Sequence, residues 1–344
     1  MTQVQSNFVY PPPSTHLDSG YFEIVATAAH LPMTQKTTAQ LISENGLSLV
    51  DKIITQSTGV KSRHIADKNH TDSDVLSFAA RKCIEKAGAN VNALSKIMVN
   101  KLLGDRILPP TSTMMQRKLN IQMAVQTMDI DGGSNGFLQA LLTAAHCLDA
   151  GDETILIVSG GVHQRLMNPN DSRTAFLYGD ASAAVLLRAS ERRHMLAHYE
   201  FSNSQLSQLH HGVDFYHFVP GFLNERKLDL FAVGNLRNAE AFYKEAACHT
   251  MHVLLNNAQC RADEVDMFFI NQMNLPLWSS IVQHLEIPKE KVISILPTTG
   301  NTLAASIPLQ MATWQAREKN IDGKKILIIS LGEGCLGGGC LYQF

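Results

Sequence analysis

Apolar positions along the chain follow two alternating rhythms. Short apolar runs appear at "YFEIVATAAHL" (21–31), within "ALSKIMVNKLL" (93–103), and at "AVQTMDI" (124–130), "ETILIVSGG" (153–161) and "ASAAVLLRAS" (181–190). Each reads as a strand, and the least interrupted ones as strands covered on both faces. Between them the spacing becomes helical. "DSDVLSFAARKCIEKAG" (72–88) puts Val75, Phe78, Ala79 and Ile84 on one face, with Asp72 or Ser73 as N-cap and Gly88 as the stop. "MMQRKLNI" (114–121) is helical, and "GFLQALLTAAHCLDAG" (136–151) is an amphipathic helix closed by Gly151. The second half repeats the rhythm. A long helix at 238–258 precedes the strand "DMFFIN" (266–271), helices at 275–287 and 303–320, and strands at 324–332 and 338–344.

Alternating elements predict an α/β fold in layers. Two halves of like order predict an internal duplication, although no residue-level repeat is visible. The expected division is an extended arm over 1–20, carrying the triplet Pro11-Pro12-Pro13, then a half at 21–190 and a half at 191–344. The segment 191–236 has the least regular pattern and is expected to be a loop covering a pocket.

Composition narrows the function classes. The 344 residues are 45% hydrophobic and 17% charged, a lean charge fraction that points to surface covered by another subunit. The net charge of −2, without a Lys/Arg block, argues against a nucleic-acid partner. No apolar stretch approaches the roughly 18–20 residues of a membrane span, and the N-terminus lacks the pattern of a secretory signal. The six cysteines show neither a CxxC pair nor zinc spacing, so reduced core thiols, no metal site and a cytoplasmic location are expected.

Four stretches carry the chemistry: "DIDGGSNGF" (129–137), "YGDASAAVLL" (178–187), "FINQMN" (269–274) and "TTGNTLAASIP" (298–308), followed by a Gly-rich tail at 332–339. The first ends a strand and opens a helix, with Ser134 at the turn. Ser134 is open to three readings there: an acyl acceptor, a helix cap, or a replacement for a more reactive residue. The Gly-rich tail precedes a strand and lacks the Lys-Ser/Thr of a P-loop, which argues against nucleotide binding.

In order and spacing these stretches, with "STGVKSRHIAD" (57–67) and "GGGCLYQF" (337–344), resemble the β-ketoacyl-acyl-carrier-protein synthase III branch of the thiolase superfamily. The likeness extends over about residues 20–344. It implies a five-layer αβαβα thiolase-like fold from two similar halves, working as a dimer with no cofactor. It also implies a Cys-His-Asn triad, and here Ser134, Asn271 and Asn301 stand at those three positions. The oxyanion hole would use the backbone N–H groups of Ser134 and of the turn at Glu333. Phe242 corresponds to an aromatic of the pantetheine tunnel, with Asn274 and Arg173 on the substrate side. Leu108 would close the acyl pocket of the partner subunit. The residues that hold the adenine end of coenzyme A correspond to Ile53, Ser57 and Ser172, so a carrier-protein thioester is the expected partner ahead of a coenzyme A thioester.

A serine needs a general base that Asn271 cannot supply. His163, His210, His211 and His217 are candidate replacements, against the plainer expectation that each lies on the surface. Two functions stay open: an acyltransferase in fatty-acid or polyketide-type metabolism, and a degenerate subunit that supports an active ketosynthase in a heterodimer.

Overall fold

The computed structural model describes residues 10–12, 20–172, 174–202, 210–212, 231–233, 239–332 and 336–344. Nine strands build its two main sheets: β1 (Phe22–His30), β2 (Lys96–Asn100), β3 (Gln126–Ile130), β4 (Thr154–Gly161), β5 (Ala181–Ala189), β6 (Met195–Ser202), β7 (Met267–Ile270), β8 (Lys325–Leu331) and β9 (Leu336–Gln343). The first sheet runs β1-β5-β4-β2-β3, with β2 parallel to β4 and β3 and β5 antiparallel to β4 and β1. The second runs β7-β8-β9-β6, with β7 parallel to β8 and β9 antiparallel to both neighbours. Read from β2 and from β7, both sheets give the same succession of one parallel and two antiparallel pairings. This is the duplication that the order of elements predicts.

Five helices complete the layers: α1 (Asp72–Ala87), α2 (Gly136–Asp149), α3 (Ala239–Asn257), α4 (Leu275–His284) and α5 (Ser306–Gln315). Strand alternation explains their placement. On β4, Ile155 and Ile157 point to the centre, while Leu156 and Val158 point to the layer of α1. On β8, Ile326 and Ile328 point to the same centre, and Leu327 and Ile329 to α3 and α4. Both faces of each sheet are therefore apolar, which is why these strands read as unbroken runs. The central layer is α2 and α5. Phe137, Leu138, Leu141 and Ala145 of α2, and Ile307, Leu309 and Met311 of α5, are all buried between the sheets. Tyr342 Oη ties the sheets further by accepting the Ile24 N–H at 2.8 Å.

Three expectations change. The segment 191–236 contains β6, where buried Met195, Ala197, Tyr199 and Phe201 alternate with more exposed neighbours. As an edge strand with one covered face it shows period-two alternation rather than a run, and its His and Glu residues mask that signal. The N-cap of α1 is Thr71, which exchanges bonds with Asp74 in a capping box, and neither Asp72 nor Ser73 takes that place. The helical region at 303–320 divides into a 3-10 turn, Leu303–Ala305, and α5.

Buried Asp180, at the entry to β5, fixes the loops above the first sheet. Its carboxylate accepts the N–H groups of Ala66 (2.7 Å), His163 (2.7 Å) and Gln164 (2.8 Å). Asp180→Ala would leave three donors without an acceptor. We expect it to lower stability by about 3 kcal/mol or more in urea unfolding, against a much smaller loss for Asp180→Asn.

Candidate active site

The turn that carries Ser134 is shaped by small residues. After β3, Gly133 takes a left-handed φ of 50°, and Gly133–Asn135 form a 3-10 turn from which α2 starts at Gly136. A Cβ on Gly136 would lie 1.8 Å from Asn100 Nδ2, so only glycine lets the helix begin against β2. Asn100 in turn donates to the Ile130 carbonyl at 3.0 Å, joining the ends of β2 and β3. Ser134 is 3% exposed at the positive end of α2. The N-cap of α2 is Asn135, which makes no side-chain capping bond, so Ser134 is not the helix cap.

Hydrogen bonds joined by short stretches of backbone link Ser134, Asn271 and Asn301, the three positions expected for the triad. Ser330 Oγ donates to the Ser134 carbonyl at 3.4 Å. The next residue, Leu331, gives its N–H to Asn271 Oδ1 (2.8 Å), and its carbonyl accepts from Asn271 Nδ2 (2.5 Å). Asn271 follows β7 directly and is buried. Two residues on, the Met273 carbonyl accepts from Asn301 Nδ2 at 3.1 Å, while Asn301 Oδ1 accepts the Leu303 N–H at 2.8 Å. The Asn301 backbone is held as well, against Leu177 and Gly179 (2.8 and 3.0 Å). Each amide thus has its oxygen on one backbone N–H and its nitrogen on one carbonyl. Each keeps one N–H to offer an oxygen atom, and neither can take a proton.

Two supports were not legible from the motifs. Gln272 holds three backbone groups: Oε1 accepts from Ile295 and Leu296 (3.0 Å each) and Nε2 donates to Ile293 (2.6 Å). It fixes the strand end at Asn271 to the segment leading into Asn301. Lys101, buried just past β2, lies 2.9 Å from Asp131 and 3.4 Å from Asp129. Burial disfavours its charge, but the hydrogen bond and charge of Asp131, aided by Asp129, outweigh this and hold Lys101 above the usual lysine range. It therefore remains an ammonium ion and is no base for Ser134. A lysine directly after a strand and an aspartate three residues before Ser134 are the only sequence signals for this pair.

The surface expectation for His163 is corrected. The ring is fully buried, and its Nδ1 donates to the Gly179 carbonyl at 3.1 Å, one peptide behind Asn301. Burial follows from the inward turn of the chain after β4, which polarity alone does not reveal. Only the backbone of the short strand His210–Gly212 is described, so the two histidine side chains are not placed. His217, Arg173 and Glu333 lie outside the described residues.

The remaining expected residues are placed as follows. Phe242 is buried on α3, with ring contacts to Tyr243 and Phe201 at 5.7 and 6.5 Å. Asn274 caps α4, its Oδ1 accepting the Leu277 N–H at 2.9 Å, which is a structural task. Leu108 is 76% exposed, beside Ile107 at 89%. Ile53, on the helix Asp51–Thr58, is 62% exposed, and Ser57 Oγ is turned back to the Ile54 carbonyl at 2.9 Å. Among the described residues no group of three His, Cys, Asp or Glu side chains could hold a metal, and no helix is long and apolar enough to cross a membrane.

Residues 128–204 match the family model of 3-oxoacyl-[acyl-carrier-protein] synthase III, and residues 255–344 match that of its C terminal. Among solved structures, the chain is similar to 3-oxoacyl-[acyl-carrier-protein] synthase III from Aquifex aeolicus VF5. The two are 25% identical with a TM-score of 0.83, over 94% of this chain and 100% of that one. The corresponding enzyme from Pseudomonas aeruginosa PAO1 is 22% identical with a TM-score of 0.84, over 94% and 98%. The priming β-ketosynthase from the R1128 polyketide biosynthetic pathway is 19% identical with a TM-score of 0.86, over 97% and 99%.

The Asn271 clamp gives a direct test. Asn271→Leu leaves the Leu331 N–H and carbonyl buried without partners and should cost about 2–4 kcal/mol in chemical unfolding. Asn271→His can still accept the Leu331 N–H through Nδ1 and should lose less than half of that.

Proposed function

Because the chain is a β-ketoacyl-acyl-carrier-protein synthase III-like protein of the thiolase superfamily, we propose that it is an acyltransferase acting on acyl thioesters, with Ser134 as acyl acceptor. The observation that carries this reading is the buried placement of Ser134 at the start of α2, in one hydrogen-bonded chain with Asn271 and Asn301. In the proposed step the Ser134 oxygen attacks the thioester carbonyl and the C–S bond breaks. The hydroxyl proton leaves with the departing thiolate, giving a serine ester and a free thiol. Backbone N–H groups at the start of α2 and the spare amide N–H groups would stabilise the oxyanion. Without the imidazole at position 271, malonyl decarboxylation lacks its main electrostatic support. Transfer of the acyl group to an acceptor is therefore favoured over malonyl condensation.

A carrier-protein phosphopantetheine is the proposed donor, in fatty-acid or polyketide-type metabolism in the cytoplasm. Ile53 and Ser57 provide neither the aromatic face nor the cation that would hold an adenine ring on the helix Asp51–Thr58. A second reading, a degenerate subunit supporting an active ketosynthase, is favoured by one observation. The Asn271 and Asn301 amides are each tied by both ends to backbone, a scaffold role that needs no chemistry.

Intact-mass spectrometry after incubation with a panel of acyl-carrier-protein thioesters separates the two readings. The acyl adduct expected on the wild type should disappear in Ser134→Ala. A protein that gains no mass from any donor supports the partner-subunit reading. Ser134→Cys with Asn271→His should become acylated faster than wild type and release measurable carbon dioxide from malonyl thioesters.

The proposed assembly is a dimer through the β3 edge. Among the described residues β3 has β2 as its only strand neighbour; exposed Met128 lies within it, and exposed Ile107, Leu108 and Met123 precede it in sequence. Leu108→Asp with Met128→Glu should shift the species seen by sedimentation velocity from dimer to monomer at micromolar concentration. A wild-type monomer under the same conditions would overturn the assembly.

A further inference from the structure

We infer that the cleft at the free edge of β1 is a binding site for an alkyl-chain anion of the fatty-carboxylate type, separate from Ser134. Among the described residues β1 has β5 as its only strand neighbour, and its outer edge lies between α1 and the C-terminal end of α5. The cleft there is wide and open to solvent, with a volume of about 640 Å³. Leu31, Leu309 and Ala312 give it an apolar floor, and Lys82, Lys86 and Arg317 line it with positive charge.

Those three cations are distinctive for what they lack. Among the described residues none of them meets a carboxylate, and the Arg317 guanidinium makes no hydrogen bond. The two ammonium groups donate only to backbone: Lys82 to the Ala29 carbonyl at 3.4 Å and Lys86 to the Thr27 carbonyl at 3.2 Å. In an antiparallel strand the N–H and C=O of one residue point the same way, alternately toward and away from the partner strand. Thr27 and Ala29 therefore direct their N–H groups to the same open edge as the carbonyls that the lysines cover. An added peptide strand needs both acceptors and donors along an edge, and here the acceptors are taken. What remains is a set of donors and positive charges over an apolar floor. A carboxylate, which only accepts, matches the rim, and an alkyl chain matches the floor.

The test is isothermal titration calorimetry of the intact protein with decanoate below its micelle concentration. Saturable one-to-one binding is expected, weakened several-fold by high salt, with none for decyltrimethylammonium. The triple variant Lys82→Glu/Lys86→Glu/Arg317→Glu, and separately Ala312→Trp, should each weaken decanoate binding by about tenfold or more. Unchanged affinity in a folded triple variant, as occupancy of the Ser134 site would give, overturns the proposal, and so does an absence of saturable binding. If the variants fail to fold, lysine acetylation of the wild type decides. Decanoate should protect Lys82 and Lys86 selectively, and equal labelling with and without it overturns the site.

Discussion

Much in this molecule depends on burying most of two helices between two sheets. In α2 only Gln139, Thr143, His146, Cys147 and Asp149 escape burial, and in α5 only Thr313 and Gln315, so the rest of each helix must be largely apolar and its start must settle its polar groups inside the protein. The sequence meets the first demand with "GFLQALLTAA" and "IPLQMA". Neither helix has a side-chain N-cap, and its start is tied to neighbouring strand ends instead: Ser330 Oγ donates to the Ser134 carbonyl and the Gln272 N–H to Ser306 Oγ. Gln310, a polar residue within α5, gives its amide to the Ile270 carbonyl at 3.0 Å, one residue before Asn271. The site forms where a buried helix begins because that is where unpaired N–H groups are brought into a place without water.

The same demand explains how the triad positions hold amides without loss of the scaffold. A group at position 271 has to satisfy the peptide of Leu331, which is buried at the end of β8. An imidazole could meet the N–H of that peptide through one ring nitrogen, and Asn271 meets both of its groups. An amide fulfils the backbone requirement but brings no acid–base function. Asn301 repeats the pattern against Met273 and Leu303. Well-kept motifs around a site are therefore evidence for its architecture first. Reactivity rests on the few atoms that remain after the backbone has been served.

Much of the fold was legible because burial on both faces writes itself into long apolar runs, as in "TILIVSGG" and "KILIISL". The edge strand β6 was not, since one covered face leaves a broken alternation that His198 and Glu200 obscure. The site was legible through its glycines and its serine, whose spacing is set by a tight strand-to-helix turn. Gln272 was less visible, although it holds three backbone groups, because its partners at 293–296 are distant in sequence. His163 shows the converse. A polar residue type suggested the surface, yet the Gly179 carbonyl satisfies one ring nitrogen and lets the ring be buried. Residue type reports a tendency, whereas hydrogen-bond accounting decides each case.

The size of the helix effect sets what chemistry Ser134 can do. A helix N-terminus in a partly buried setting contributes up to about 2 kcal/mol toward an anion. At about 1.4 kcal/mol per pKa unit, that is roughly one and a half units. A thiol starting near 8.5 is brought to about neutrality by such a field alone. A hydroxyl begins much farther away, close to bulk water, and the same field leaves almost none of it ionised. In the proposed acyl transfer, attack by Ser134 would therefore have to move the proton while the new bond forms. The departing thiolate is a suitable receiver because its conjugate acid has a pKa of about 8.5. Under that proposal proton transfer and C–S cleavage would be coupled, and the donor thioester itself would supply the base that Asn271 cannot provide.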